Sequence, residues 1–218
     1  MVDYNKIAKW FSNSRKNMKW EEMDYFFSFL VWKKNISILD IWCGSGRLLE
    51  QFSNSFDIDN LNYLWLDLSD EMLKHAKENF PKKSFFKLDM LNIDKLKSVK
   101  FDYIFFVASF HHLENLENRL EVLKNVKELL NDDGKIFFTN WSLNSEINNE
   151  KYEKDLVKNS QNKFWSTDYK INFWEYARYY HCFNLKELEY LFKESDFEII
   201  ENREFDNKKN IISIIKKR

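Results

Sequence analysis

Short apolar runs alternate with stretches of helical periodicity from residue 37 onward, and this alternation constrains the fold more than any other feature. Ser37–Ile41, Leu61–Leu66, Ser84–Leu88, Phe101–Val107 and Lys135–Thr139 have the length and the branched and aromatic content of buried strands. Gly46–Ser53, Ser69–Phe80 and Asn115–Leu130 read as helices between them. Strands joined through helices of this length pair in parallel by right-handed crossovers, which place helices on both faces of the sheet. Ser69 is a candidate N-cap, with Asp70 and Glu71 suited to the first-turn dipole. A further helix from Asn184 to about Ser195 carries Glu187 at capping-box spacing. Phe197–Ile200 and Asn210–Ile215 then form a closing hairpin that makes one edge antiparallel. The expected fold is α/β, a Rossmann-like open seven-stranded, mostly parallel sheet.

Around this core, Tyr4–Phe11 and Glu21–Trp32 predict opening helices within residues 1–34. Residues 143–183 are polar and aromatic-rich without a clear period, and read as an insertion near the active-site mouth. With no internal repeat or linker, residues 1–218 are expected to form one domain. A formal net charge of −1 gives no electrostatic case for nucleic acid. Two cysteines, Cys43 and Cys182, without CxxC spacing argue against a disulfide framework or a structural metal. The apolar run Phe26–Trp32 is too short to span a membrane, and the opening residues lack the apolar core of a signal peptide. A cytoplasmic protein with neither membrane nor metal is the expectation.

The chemistry gathers at predicted strand ends. In "SILDIWCGSGRLL" a strand runs into a glycine turn, Gly44 and Gly46, and then a helix. A nicotinamide cradle needs a third glycine, and none follows. Asp40 points a carboxylate into the crevice, which repels a pyrophosphate and suits a ligand carrying an ammonium group, such as S-adenosylmethionine (SAM). Asp67 ends the second strand, where a carboxylate can take both hydroxyls of a ribose, and Asp89 follows the third, placed for an adenine amino group. One aspartate at a strand end is ordinary turn chemistry. Three in succession, the first beside a glycine turn, are not.

These residues resemble the class I SAM-dependent methyltransferases of the type 11 or UbiE-like kind over nearly the whole chain. The first motif of that family, L-D-x-G-C-G-x-G, is matched at Leu39, Asp40, Cys43, Gly44 and Gly46 but not at Trp42. "ASFHHL" (Ala108–Leu113) and "LLNDDGKIFF" (Leu129–Phe138) are similar to its later motifs. The resemblance implies SAM as cofactor, held by Asp40, Trp42, Cys43, Gly44, Gly46, Asp67, Leu68, Asp89, Met90 and Ala108. "RYYH", Arg178 to His181, resembles the tRNA wobble-uridine carboxymethyl methyltransferases, which implies a tRNA acceptor and, as in some relatives, a small partner subunit.

Acceptor chemistry then separates the candidate residues. A carboxylate is already ionised at neutral pH and needs a positioning cation, for which Arg178 is placed, with Tyr180 and His181 shaping the pocket. A phenol, carbon or amine acceptor needs a general base, for which His111 and His112 are the candidates. A small-molecule, quinone-type methyltransferase and an inactive SAM-fold partner subunit are the alternative readings. Arg178 has a simpler possible role as the partner of Glu175, and the aromatic run from Phe173 to Tyr180 suits either core packing or base stacking.

One compositional feature conflicts with the cradle. The chain has 3 glycines and 8 tryptophans, where average usage predicts about 15 glycines. Trp42 and Trp65 stand where the resemblance expects glycine, as do Trp165 and Trp174, whereas Trp20 and Trp141 stand where it expects an aromatic. An indole at 42 is expected to point towards the methionine part of the cofactor, and one at 65 to crowd the adenosine. UGA specifies tryptophan in some bacterial codes and glycine in others, so a gene of the second kind read by the first table produces this pattern. An AT-rich genome lowers glycine as well, but it does not place tryptophan at glycine positions.

Overall fold

The computed structural model describes residues 8, 12, 20–31, 35–54, 56–173 and 176–218. Helix α1 (Glu21–Phe27) precedes β1 (Ser37–Ile41), α2 (Arg47–Ser53), β2 (Asn62–Asp67), α3 (Asp70–Asn79) and β3 (Ser84–Lys87). β4 (Phe101–Val107), α4 (Leu116–Leu129) and β5 (Leu130–Trp141) complete the alternating part. β6 (Thr167–Phe173), β7 (Tyr176–Cys182), α5 (Leu185–Glu194), β8 (Phe197–Glu204) and β9 (Asn210–Lys217) follow. Seven strands form one sheet in the order β3-β2-β1-β4-β5-β9-β8, and β6 pairs with β7 in a separate sheet. β1 to β5 run parallel, and β9 is antiparallel to both β5 and β8. The expected α/β architecture is the observed one.

Local signals account for most boundaries. The Ser69 hydroxyl accepts from Met72 N–H and the Asn115 side chain from Asn118 N–H, each capping its helix; a cap of this kind contributes about 1 kcal/mol. Alternation along β1 separates two cores. Leu39 and Ile41 pack with Val122, Val126, Leu188 and Phe192 of α4 and α5. Ile38 packs on the other face with Phe26, Leu48, Phe52 and Leu73 of α1, α2 and α3. Helices therefore cover both faces.

Two expectations change. Residues 143–183 contain an ordered hairpin, β6–β7, whose inward side chains Tyr169, Ile171, Tyr180 and Cys182 form a small core of their own with Leu143. In Thr167–Phe173 only Tyr169, Ile171 and Phe173 alternate with polar residues, too short a run to set a period, and residues 174–175 carry no Asn-Gly or similar turn signal. Helix α1 stops at Phe27 instead of reaching Trp32, and Val31 N–H donates to the Tyr103 hydroxyl, which ties the chain to β4. The helix expected over Tyr4–Phe11 lies outside the described residues apart from Ala8.

Candidate active site at the switch point

Strand order reverses between β1 and β4, and in such sheets ligands sit beyond the carboxyl ends of the strands at that point. Gly44 (φ 57°) and Gly46 (φ 85°) turn the chain from β1 into α2 in the left-handed region that favours glycine. A side chain at Gly44 would meet nothing within 4 Å, so backbone is bare on that side, while one at Gly46 would press on Phe80 at 3.3 Å. Asp67 ties the turn to β2: its Oδ2 accepts from Gly44 N–H and its Oδ1 from Ser69 N–H, both at 2.9 Å. Burial raises the Asp67 pKa, opposed by these N–H groups and by the Arg178 charge. Asp40 is buried beneath the turn and accepts from the Tyr63 hydroxyl at 3.3 Å. Burial pushes its carboxyl up to about 8.

The other residues assigned to the cofactor divide. Cys43 is buried, its N–H bonded to Leu66 O, and burial with the Asp67 and Asp40 charges pushes its thiol up. Ala108 (φ 50°) ends β4, its N–H directed at both the carbonyl and the hydroxyl of Thr139. Leu68 and Asp89 are half-buried at the β2–β3 side, and Asp89 Oδ1 accepts from Leu91 N–H. The Met90 side chain is fully buried in the core, which leaves its backbone for a ligand.

Facing the glycine turn is the 3₁₀ turn Phe110–His112 after β4, with β7 laid across it. His112 is committed at both nitrogens, Nδ1 with Tyr179 O at 2.8 Å and Nε2 with the Arg178 guanidinium. Only the tautomer with its proton on Nδ1 satisfies both. His111 Nδ1 accepts from Trp141 N–H at 3.3 Å, so its proton sits on Nε2, which has no hydrogen-bond partner among the described residues. Burial, then the Arg178 charge, push both histidines well below the usual imidazole range. The Arg178 guanidinium lies 4.9 Å from the centre of the Tyr180 ring, which stacks on Trp141. Glu175, the partner in the alternative reading of Arg178, lies outside the described residues.

His181, assigned to the pocket wall, is engaged at both ring nitrogens. Its ring is closed between two carboxylates, Nδ1 to Asp168 at 2.6 Å and Nε2 to Glu187 at 2.9 Å, beneath the hairpin. Glu187 accepts from Arg119 at 3.0 Å, and Asp168 from the Tyr179 hydroxyl at 2.7 Å. Against burial, the hydrogen bond from His181 holds Glu187 at about 2. Glu187 thus does not close a capping box; Asn184 N–H donates to Ser166 instead. The sequence reading missed Arg119, Asp168 and Glu187. Arg119 could have been found from its place in the apolar stripe with Val122, Leu123 and Val126, where an unpaired charge is not tolerated.

Residues 39–136 match the family described as "Methyltransferase domain". A structure of a SAM-dependent methyltransferase from Clostridium acetobutylicum superposes over 98% of this chain and 98% of that one, with TM-score 0.66 and 18% identity. A yeast relative (Saccharomyces cerevisiae), tRNA (carboxymethyluridine(34)-5-O)-methyltransferase, is 27% identical over 154 residues, 70% of this chain and 51% of that one. The ubiquinone/menaquinone biosynthesis C-methyltransferase UbiE of Campylobacter jejuni is 32% identical over 108 residues, 48% of this chain and 44% of that one. Over residues 39–136 the chain matches a methyltransferase domain, and its fold is that of SAM-dependent methyltransferases of known structure. The chain spans about half the length of these curated relatives. Among the described residues, no helix is long and apolar enough to cross a membrane, and no group of three or more His, Cys, Asp or Glu is placed to hold a metal.

The fit of SAM to this crevice is uneven. Bare backbone at Gly44, with the Asp40 and Asp67 carboxylates beside it, suits a ligand carrying an ammonium and a diol. Trp42 does not suit it. Its backbone is left-handed (φ 60°) and its indole stacks on the His112 ring at 5.5 Å and 25°, bridging the ends of β1 and β4. Its Nε1 is buried without a partner. Trp65, expected at the adenosine end, is instead enclosed in the core and stacked on Phe85 at 4.0 Å. Its Nε1 lies towards the Tyr63 hydroxyl without a hydrogen bond of adequate geometry. Trp174 lies outside the described residues.

Proposed function

We propose that this chain methylates a carboxylate, with the carboxymethyl group of a tRNA wobble uridine as the acceptor suggested by the yeast relative. The observation that carries the reading is the part-buried Arg178–His112 contact beside the crevice. SAM supplies an electrophilic methyl on a sulfonium. A carboxylate oxygen takes that methyl by in-line displacement with no proton to remove, so alignment supplies the rate. Arg178, braced by His112 and the Tyr180 ring, is the cation that orients the acceptor. A base-requiring acceptor is poorly served: His112 has no lone pair to spare, and the free nitrogen of His111 carries a proton. This reading implies the cytoplasm as the working compartment.

The test is methyl transfer from labelled SAM to tRNA carrying carboxymethyluridine, with release of the label by mild alkali as the mark of an ester. The assay is run on the chain as printed and on Trp42→Gly. Arg178→Ala is expected to lower kcat/KM roughly 10–100-fold, the loss of one charge-assisted contact, and His111→Gln to change it little. Alkali-stable product on a quinol acceptor, abolished by His111→Gln, would move the assignment to the quinone type. No transfer to either acceptor, with SAM bound, would favour a non-catalytic subunit.

A further inference from the structure

We infer that positions 42 and 165 are glycine in the protein as its own cell makes it, and that the switch-point crevice admits the cofactor only in that form. The second half rests on the methyltransferase reading; the first does not.

The described tryptophans are Trp20, Trp42, Trp65, Trp141 and Trp165, and they fall into two kinds. Trp20 has an extended backbone (φ −107°) and carries the Arg47 guanidinium over its ring at 3.9 Å. Trp141 lies in β5 and stacks on Tyr180 at 4.9 Å. Both have a reason to be indoles. Trp42 (φ 60°) and Trp165 (φ 70°) instead hold the left-handed conformation, which a bulky L-residue pays strain to enter. Of the other non-glycine residues in that region, Asn35, Asn159 and Asp196 are types that tolerate it; Ala108 and Lys208 are not, but neither carries a bulky ring.

Side-chain surroundings repeat the division. At 165 the indole is 64% exposed, on a tight loop where Trp165 N–H donates to Asn162 O and the Asn162 side chain accepts from Phe164 and Ser166 N–H. Loop closure uses only backbone at 165, so a glycine does everything this residue does. At 42 the indole buries Nε1 without a partner and fills the space between the β1 and β4 ends. Strain, an unsatisfied donor and a filled crevice thus meet at one position, and all three vanish when the side chain is removed.

Both positions are among those where the family resemblance expects glycine, and the chain as printed has 3 glycines against 8 tryptophans. UGA codons that specify glycine account for both facts together. Trp65 is outside the inference, because its strand backbone is ordinary and its ring is packed on three others.

The deciding measurement is the mass of the tryptic peptides Asn35–Arg47 and Phe164–Lys170 from cells that carry the gene, with the codons read alongside. UGA codons and glycine masses in both are expected. UGG codons or tryptophan masses overturn the assignment. Calorimetric titration of SAM then tests the crevice with the chain as printed, Trp42→Gly, Trp42→Ala and Trp165→Gly. Trp42→Gly is expected to bind at least ~100-fold more tightly than the printed chain, about 2.7 kcal/mol. Trp42→Ala, which unplugs the crevice but keeps the strain, should recover most of that gain, and Trp165→Gly none. Equal binding by the printed chain and Trp42→Gly overturns the crevice half. Glycine masses with no SAM binding by Trp42→Gly overturn both the crevice half and the methyltransferase reading, while the glycine assignment stands.

Discussion

Asp40 is the residue whose ionisation bears most directly on the crevice. Burial raises its carboxyl to about 8, with the Tyr63 hydroxyl opposing and Asp67 adding to the shift. Because the folded value exceeds the unfolded one, the folded chain holds a proton that the unfolded chain has lost between about pH 4 and pH 8. Stability therefore falls as pH rises through that window. Asp40→Asn should remove this dependence, gaining on the parent protein as pH rises, by ~2–4 °C for each kcal/mol. Thermal unfolding from pH 5 to pH 8 checks it, and parallel curves for the two proteins would refute the shift. A ligand ammonium against Asp40 favours the ionised form, so SAM affinity in the Trp42→Gly protein should rise with pH up to about 8. Isothermal titration at several pH values, in buffers of different ionisation enthalpy, reads the proton released.

Between elements, the contact that matters most joins α4, α5 and the hairpin. Arg119, Glu187, His181, Asp168 and Tyr179 form a continuous polar chain beneath β7, the strand that presents Arg178. Removing the Glu187 carboxylate leaves the enclosed Arg119 guanidinium without its ion-pair partner, so Glu187→Gln should cost about 3–5 kcal/mol in urea unfolding. Glu187 is held at about 2, below its unfolded value, so the stability it confers is complete above about pH 4.5 and is lost as pH falls towards 2. Glu187→Gln should accordingly flatten the acid limb of the stability profile. The same variant should lower kcat through a displaced Arg178 while leaving SAM affinity intact. A fall in SAM affinity of the same size would mean that the network supports the whole crevice.

Over the whole molecule, the hairpin and the large sheet are distinct units of stability. β6–β7 rests on four buried side chains of its own and Leu143, whereas β1 and β4 are central strands closed on both faces. Amide exchange should therefore be faster over residues 167–182 than in β1 and β4, and Glu187→Gln should accelerate it there alone. Uniform acceleration across both sheets would show that they open together. The architecture of the large sheet was legible because strand length, helical period and capping residues are local: Ser37–Ile41 and Phe101–Val107 begin and end as the pattern predicts. The glycine turn and the aspartates at three strand ends were legible for the same reason, since each is set by its neighbours in the chain. The hairpin was not, because its turn carries no signal. Which charges meet was not legible either: Arg119 and Glu187 are 68 residues apart, and Arg178 and His112 are 66 apart. Their pairing follows from where α5 and β7 pack, and the folded chain alone brings those elements together. Tertiary structure likewise decided the standing of the tryptophans. Composition and the family resemblance raised the anomaly at positions 42 and 165, but only a left-handed backbone and an indole closing the crevice, or standing in solvent, give it a physical reason.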